Sequence, residues 1–206
     1  MKTADKQGGI PSKTRRRVEI DFLYVDLTAC TRCIGTGVNL DEALSEVSRI
    51  LEAAGVEVSV RKTLVETEAQ AKAVGFFSSP TIRINGKDIA LEFRESRCES
   101  CEACAGNVPV NCRVWVFQGK EYTEAPKAMI VDAILREVYR DASSEIPPAR
   151  PMKRRDVPEN LRRFFRGKAA LNSSSCCPPT EQAGCCAESE KAACCAASDS
   201  KGCGCK

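Results

Sequence analysis

Val18 to Cys33 reads VEIDFLYVDLTACTRC, and this stretch decides the fold. Its first ten residues are rich in apolar side chains, which predicts a buried strand over about residues 18–27. The strand leads into Cys30-Thr31-Arg32-Cys33, a pair of thiols separated by two residues. This spacing lets both sulfurs form a disulfide or bind one soft metal ion. The sequence therefore predicts a dithiol presented at the edge of a sheet.

The composition restricts the chemistry that is open to the chain. It has 206 residues, 14 cysteines and no histidine. A Cys–His nucleophile pair is therefore ruled out, and any soft-metal site must be built from thiolates. The first residues lack the apolar segment of a secretory signal, and no stretch has the length of a membrane span. We expect a cytoplasmic protein, in which clustered cysteines indicate metal or redox chemistry rather than structural disulfides.

Charge is distributed unevenly along the chain. Residues 1–17 and 149–172 are basic, with net charges of +5 and +6, and residues 18–148 are acidic, with a net charge of −7. Few aromatic residues interleave with the basic flanks, so the pattern favours solvated segments over a nucleic-acid surface. We expect neither nucleic acid nor a membrane among the partners.

The pattern after the dithiol predicts a helix and a second strand. A loop over residues 34–38 precedes Asn39, which with Glu42 forms the signature of a capping box. Apolar residues then recur at three- and four-residue steps as far as Gly55, where the helix is expected to stop. Alternating valines predict a strand over residues 56–65. Because a helix joins the two strands, we expect them to pair in parallel.

The next segment predicts a short helix and a hairpin. Thr67 with Gln70 resembles a second capping box, and Gly75 is expected to end that helix. Strands over residues 81–84 and 88–93 flank Asn85-Gly86, the strongest short hairpin signal.

A cysteine-rich insertion at residues 98–112 separates the hairpin from a strand over residues 114–117 and a last helix that begins near Pro126. Residues 158–165 are compatible with a short basic helix, which we expect to dock on the body rather than to bind a partner. The predicted fold is α/β with the order β-α-β-α-β-β-insertion-α. The predicted organisation is a disordered basic leader (1–17), a domain (18–140), a basic linker (141–172) and a disordered tail (173–206).

This order, with a dithiol after the first strand and Ser79-Pro80-Thr81 before the hairpin, resembles the thioredoxin-like fold. More closely, residues 18–140 are similar to a bacterial thioredoxin-like family catalogued as a domain of unknown function. The resemblance implies that Pro80 is a cis-proline that faces Cys30 and Cys33, and that the backbone beside it pairs with an incoming peptide or thiol. It implies catalysis by Cys30, Cys33 and Pro80, with Cys30 the more exposed and attacking thiol and Cys33 the resolving one.

The chain departs from thioredoxins in the position of the dithiol. There the dithiol caps the first helix directly, and the helix dipole lowers the pKa of the first thiol. Here the predicted cap lies at Asn39, so this support is expected to be weaker. Arg32 is expected to replace part of it by stabilising a thiolate.

The insertion carries a second set of cysteines with spacings of two, two and seven residues. Four thiols within fifteen residues suit a tetrahedral zinc site or an iron–sulfur cluster, and two disulfides or exchangeable thiols are the alternatives. In a thioredoxin-like sheet the chain returns here to the edge that holds the dithiol. We therefore expect the insertion to cover the dithiol and to exchange electrons or share a ligand with it. The predicted ligands are Cys98, Cys101, Cys104 and Cys112.

The tail carries a third set, in which three adjacent cysteine pairs repeat every nine residues and Cys203-Gly204-Cys205 ends the series. Its Ala, Ser, Glu, Pro and Gly content is too polar to build a core. An adjacent pair suits the chelation of a thiophilic ion such as Cu(I), Zn(II), Hg(II) or As(III), although a low-complexity repeat without function is the alternative. The arrangement is similar in logic to the vicinal cysteines of arsenite metallochaperones. The predicted ligands are Cys176, Cys177, Cys185, Cys186, Cys194, Cys195, Cys203 and Cys205.

Three functions remain open from the sequence. The first is a thiol–disulfide oxidoreductase that acts on partner proteins and is linked to heavy-metal or metalloid handling. The second is a chaperone or scavenger that binds such ions through the tail without catalysis. The third is a zinc-stabilised structural protein with an incidental tail.

Overall fold

The computed structural model describes residues 16–140 and 156–174. The fold is mixed α/β, as predicted, with twelve elements in these residues. The strands are β1 (Arg16–Tyr24), β2 (Val56–Leu64), β3 (Thr81–Ile84), β4 (Lys87–Asp88), β5 (Arg94–Arg97), β6 (Asn111–Phe117) and β7 (Lys120–Tyr122). The helices are α1 (Thr31–Ala53), α2 (Glu68–Val74), α3 (Glu99–Cys104), α4 (Lys127–Tyr139) and α5 (Glu159–Ser174).

The strands form two sheets. The first has the order β2-β1-β3-β4, with β1 and β2 parallel, as predicted, and β3 antiparallel to β1. The second is antiparallel with the order β5-β6-β7. Strand β5 has the sequence Arg-Glu-Ser-Arg, so it lacks the apolar alternation that would have predicted it.

Strand β1 divides the interior into two apolar clusters because its alternating residues point to opposite faces. Val18, Ile20 and Phe22 belong to the first cluster, which α1 and α4 cover. Leu23 and Val25 belong to the second cluster, which also contains five of the cysteines. The predicted dithiol therefore lies in an apolar environment at the carboxyl end of the central strand.

Helix α1 begins nine residues earlier than predicted. It starts at Thr31 with Cys30 as the N-cap, so the predicted cap at Asn39 and the loop before it are wrong. Asn39 instead donates from Nδ2 to the carbonyl oxygen of Ala125 at 2.9 Å. The Thr36 hydroxyl accepts from the Ala125 amide, and Gly37 is buried against the Phe22 ring. These tertiary contacts outweigh the low helix propensity of the glycines.

The other predicted boundaries are closer to the structure. The Thr67 hydroxyl accepts from the Gln70 amide at the start of α2, and Gly75 ends that helix in the left-handed conformation. Asn85 and Gly86 both have positive φ, which confirms the hairpin turn. Strand β4 is shorter than predicted, because the chain after Asp88 leaves the sheet and turns towards β5.

Helix α5 packs on the body, as expected for a docking helix. Leu161, Phe164 and Phe165 are buried in the second apolar cluster together with the cysteines. Gly167 lies so close to α3 that a β-carbon at this position would be 2.1 Å from the carbonyl oxygen of Ala105. Helix α5 therefore forms one wall of the space around the thiols.

Candidate thiolate site

Four cysteine sulfurs from three parts of the chain meet in the second apolar cluster. Cys30 is the N-cap of α1, Cys98 the N-cap of α3, Cys101 lies within α3, and Cys112 lies in β6. Their Sγ atoms all lie within 4.8 Å of one another, and each residue is at most 3% exposed. We call these four residues the four-sulfur site.

Cys101 occupies the centre of the four-sulfur site. Its Sγ lies 3.2 Å from that of Cys30 and 3.1 Å from that of Cys112. Four thiolates at about 2.3 Å from a tetrahedral zinc ion would be about 3.8 Å apart, which is longer than the two separations given for Cys101 and shorter than the 4.8 Å within which all four sulfurs lie. The sulfurs are thus close to the arrangement that a tetrahedral ion requires.

The thiols differ in acidity because each one that donates a hydrogen bond stabilises a neighbouring thiolate. Hydrogen bonds from Cys101 and Cys112 hold the pKa of Cys30 far below its ordinary value. Hydrogen bonds from Cys101 and Cys112 also lower the pKa of Cys98, to about 6. The pKa of Cys101 is raised, because its bonds to Cys112, Cys30 and Cys98 use its proton. Cys30 also caps a helix of 23 residues, whose dipole favours a thiolate at this end.

Arg32 joins the three parts of the chain that carry the sulfurs. Its guanidinium donates to the carbonyl oxygens of Ser96 at 3.4 Å, Arg97 at 2.6 Å, Cys112 at 3.2 Å and Arg113 at 3.3 Å. The side chain stabilises strand carbonyls rather than contacting a thiolate as the sequence suggested. Arg32 therefore fixes the first turn of α1 against β5 and β6.

Cys33 lies beside the four-sulfur site but is not one of its members. It is fully buried, and its Sγ lies 3.2 Å from the Ser79 hydroxyl oxygen. The hydrogen bond with Cys30 and burial raise the pKa of Cys33. Because Cys30 is also fully buried, the expectation that Cys30 is the more exposed thiol is wrong.

Pro80 follows a cis peptide bond, as the resemblance implied. The carbonyl oxygen of Ser79 accepts a hydrogen bond from the Arg113 amide at 2.8 Å. Strand β6 of this chain thus occupies the backbone position that was expected to receive a peptide or thiol. The catalytic roles of Cys30, Cys33 and Pro80 stay predictions.

Cys104 was predicted as a metal ligand together with Cys98, Cys101 and Cys112, but it lies outside the four-sulfur site. It is half-buried at the end of α3, and burial and the charge of Asp26 raise its pKa. Cys30 takes its place in the cluster, which fits the expectation that the insertion shares a ligand with the dithiol. The assignment of metal ligands stays a prediction. The eight tail cysteines lie outside the described residues.

Asp26 shapes the loop that presents Cys30. Its Oδ1 accepts from the amides of Thr28 and Ala29 at 2.7 and 2.8 Å, and Lys168 of α5 donates to its Oδ2 at 3.2 Å. Burial alone would raise the pKa of Asp26, but the bonds from Ala29, Thr28 and Lys168 outweigh it and hold the pKa below 3.8. Nothing in the sequence pattern singled out the pairing of Asp26 with Lys168, because the two residues are 142 positions apart in the chain.

The fold and the site define a mixed α/β protein with a buried set of thiols that could hold a metal ion. Residues 18–134 match the family described as "Domain of unknown function (DUF2703)", and the chain belongs to this family. No curated protein and no solved structure shows a significant match. The matched range contains all four members of the four-sulfur site, whereas α5 and the tail lie outside it.

Within the described residues, no helix combines the length and the apolar character that crossing a bilayer requires.

Proposed function

We propose that this protein binds a soft, thiophilic ion at the four-sulfur site and takes part in the intracellular handling of such ions. The observation that carries the proposal is the convergence of four buried Sγ atoms within 4.8 Å of one another. Without histidine, the soft ligands of this chain are its sulfur atoms, and the four that converge here are thiols. Zinc suits four thiolates in a tetrahedron, and Cu(I) or As(III) suits a subset of two or three.

An ion explains the arrangement better than a disulfide. A disulfide joins two sulfurs at about 2.05 Å and would leave the others of the cluster unpaired. Cys101 instead lies at nearly equal distances from Cys30 and Cys112. Four thiolates around a divalent ion carry a net charge of −2, and the buried Arg32 and the N-terminus of α1 supply nearby positive charge.

The tail extends the same chemistry in this proposal. Its repeated cysteine pairs would capture thiophilic ions, including metalloids, and the four-sulfur site would hold them. Cytoplasmic thiols or disulfides of partner proteins would exchange with the same sulfurs, and neither nucleic acid nor membrane would be involved. The absence of histidine from the sequence and its 14 cysteines support this part of the proposal.

The test measures bound ions in full-length protein whose eight tail cysteines are replaced by serine. We expect protein purified under reducing conditions to bind one Zn(II) per chain, measured by elemental analysis and by competition with a chelator. Cys101→Ser should abolish this binding, whereas Cys104→Ser should retain it because Cys104 lies outside the four-sulfur site. Equal zinc content in both variants, or none in the parent, would refute the proposal.

Thiol–disulfide exchange is a second candidate, favoured by the position of Cys30 and Cys33 at the start of α1. The Cys30 thiolate would attack a substrate disulfide and release one substrate thiol, and Cys33 would then displace the second as the Cys30–Cys33 disulfide forms. Both sulfurs are fully buried, so substrate would have to displace α3 or α5. Reduction of an artificial disulfide that is lost in Cys30→Ser and Cys33→Ser supports this candidate. Its absence in the zinc-free protein rejects it.

A further inference from the structure

A cavity of about 470 Å³ is lined by residues of β3, β4 and β6 and by the segments that precede β5 and α5. Its volume is in the range of pockets that bind small molecules. The rings of Phe77 and Phe93 contribute apolar surface to it. Its charged side chains are three cations and two carboxylates, namely Arg83, Lys87, Arg113, Asp88 and Asp156. We call it the basic cavity.

Both carboxylates of the basic cavity already have a cationic partner. Asp88 accepts from the Arg113 guanidinium at 2.9 Å, and Asp156 pairs with the Nζ of Lys72 at 3.6 Å. Lys87 has no ion-pair partner in the part of the chain that the structure describes. The charges of Arg83 and Lys87 are therefore not neutralised by the carboxylates of the cavity.

Arg83 is held in place by uncharged acceptors. Its guanidinium donates to the carbonyl oxygens of Val74 and Gly75 at the end of α2. Burial lowers the pKa of Arg83, and the attraction of Asp88 and Asp21 offsets this effect only in part. The guanidinium has thus lost hydration that neighbouring carboxylates do not replace, and an anion in the cavity would stabilise its charge.

Arg113 adds a buried cation to the lining. It is 3% exposed, and its guanidinium carbon lies 5.8 Å from the centre of the Phe93 ring and 5.2 Å from that of Trp115. Its Nε has no hydrogen-bond partner among the described residues. A buried donor without a partner costs free energy, so the pairing with Asp88 and Thr81 does not use the full donor capacity of this side chain.

We propose that the basic cavity binds a small organic acid that carries one negative charge and an apolar, aromatic body. Its carboxylate lies at Lys87 and Arg83, and its apolar body packs against Phe77 and Phe93. The cavity has one more cation than carboxylates, which favours a monoanion over a dianion. This inference does not depend on the ion proposed for the four-sulfur site.

The experiment titrates the full-length protein with 2-naphthoate in a calorimeter. We expect one molecule to bind per chain with a Kd below about 1 mM, as for a ligand of this size in a formed pocket. The neutral isostere 2-naphthamide should bind at least about tenfold more weakly, because it lacks the charge. Equal binding of the amide, or binding of inorganic phosphate as tight as that of 2-naphthoate, would overturn the proposal. Absence of 2-naphthoate binding to the wild-type protein would also overturn it.

Variants of the lining locate the bound molecule. Lys87→Gln removes the unpaired charge and Phe93→Ala removes an apolar wall, and each should raise the Kd for 2-naphthoate at least about fivefold. The matched control is Lys120→Gln, which removes an exposed lysine of β7 outside the cavity and should change the Kd less than twofold. Equal weakening by both lysine variants would overturn the proposal, because binding would then follow the net charge of the protein.

Lys87 also lines a neighbouring cavity of about 190 Å³, which provides the competing outcome. Arg136 lines that cavity and not the basic cavity, whereas Phe93 lines the basic cavity alone of the two. Weakening by Arg136→Gln without any effect of Phe93→Ala would place the ligand in the neighbouring cavity and overturn the assignment. Weakening by Phe93→Ala with Arg136→Gln unchanged supports it.

Discussion

Arg32 shows how one side chain can organise a site without touching its sulfurs. The two residues between Cys30 and Cys33 are free to vary in a C-x-x-C motif, yet here one of them donates to four carbonyls of β5 and β6. A guanidinium can reach several acceptors because its donors are arranged in a rigid, planar fork. The buried guanidinium therefore holds the first turn of α1, which carries the dithiol, in a fixed position against β5 and β6.

Arg32→Lys should weaken zinc binding without removing a ligand. Lysine keeps the charge but cannot reach four carbonyls, so we expect the affinity for Zn(II) to fall about 10- to 100-fold, as for other residues that orient metal ligands. Competition with a chelator measures the change. Arg97→Lys is the control, because the Arg97 side chain is 73% exposed and pairs with the Glu102 carboxylate rather than with strand carbonyls. A similar loss in both variants would contradict the positioning role.

Asp26→Asn should reveal the contribution of the loop that precedes Cys30. Because the folded-state pKa of Asp26 lies below 3.8, the carboxylate stabilises the protein above that pH, and this contribution is lost as pH falls through the folded pKa. Asparagine keeps the acceptor for the loop amides but loses the charge that faces Lys168. We expect a loss of about 1 kcal/mol in the free energy of unfolding at pH 6, shrinking towards pH 3. Denaturation across pH measures it, with the exposed Asp132→Asn as control.

At the scale of elements, the sequence predicted those whose signal is local. The apolar run of β1, the Asn85-Gly86 turn and the glycine after α2 each depend on neighbouring residues, and each is found. The start of α1 and the existence of β5 could not be predicted from neighbouring residues. Thr36 and Gly37 are helical because of contacts with Ala125 and Phe22, and β5 is a strand because β6 pairs with it.

The cysteines of the four-sulfur site could likewise be predicted only in part from local spacing, because one of them comes from a distant part of the chain. The spacing of the insertion cysteines suggested that all four share one ion. In a helix each step of three residues rotates the side chain by about 60°, so Cys104 points about 120° away from Cys98. Cys30 fills the remaining position from the N-cap of α1. Its proximity to the insertion and a ligand shared with it were expected from topology, but the exclusion of Cys104 from the four-sulfur site was not.

The contact between α5 and α3 can be tested with a pair of helical glycines. A β-carbon at Gly167 would lie 2.1 Å from the Ala105 carbonyl oxygen, and one at Gly35 would lie 2.1 Å from the carboxylate of Glu124. The backbone at Ala105 cannot move easily, whereas the Glu124 side chain can rotate away. We expect Gly167→Ala to destabilise the protein by about 1–2 kcal/mol, despite the better helix propensity of alanine. Gly35→Ala should be neutral or stabilising by up to about 1 kcal/mol, and chemical denaturation distinguishes the two.

At the scale of the whole molecule, the two apolar clusters are stabilised by different kinds of contact. The first joins β1, β2 and β3 to α1 and α4 through apolar side chains and contains no cysteine. The second includes five buried thiols and depends on the insertion and α5 to enclose them. A bound ion would stabilise the second cluster directly, because its ligands come from α1, α3 and β6.

Removal of the ion should therefore loosen one side of the molecule and spare the other. We expect a strong chelator, under reducing conditions, to speed amide hydrogen exchange in α3, β6 and α5, while α4 and β1 keep their protection. The melting temperature should rise again with added Zn(II), since a ligand that binds only the folded state stabilises it by an amount that grows with the logarithm of its free concentration above Kd. Cys104→Ser should respond like the wild type and Cys101→Ser should not respond. Uniform loss of protection across both clusters would contradict the prediction that only the second cluster depends on the ion. An unchanged exchange pattern would show that the four sulfurs pack without needing an ion.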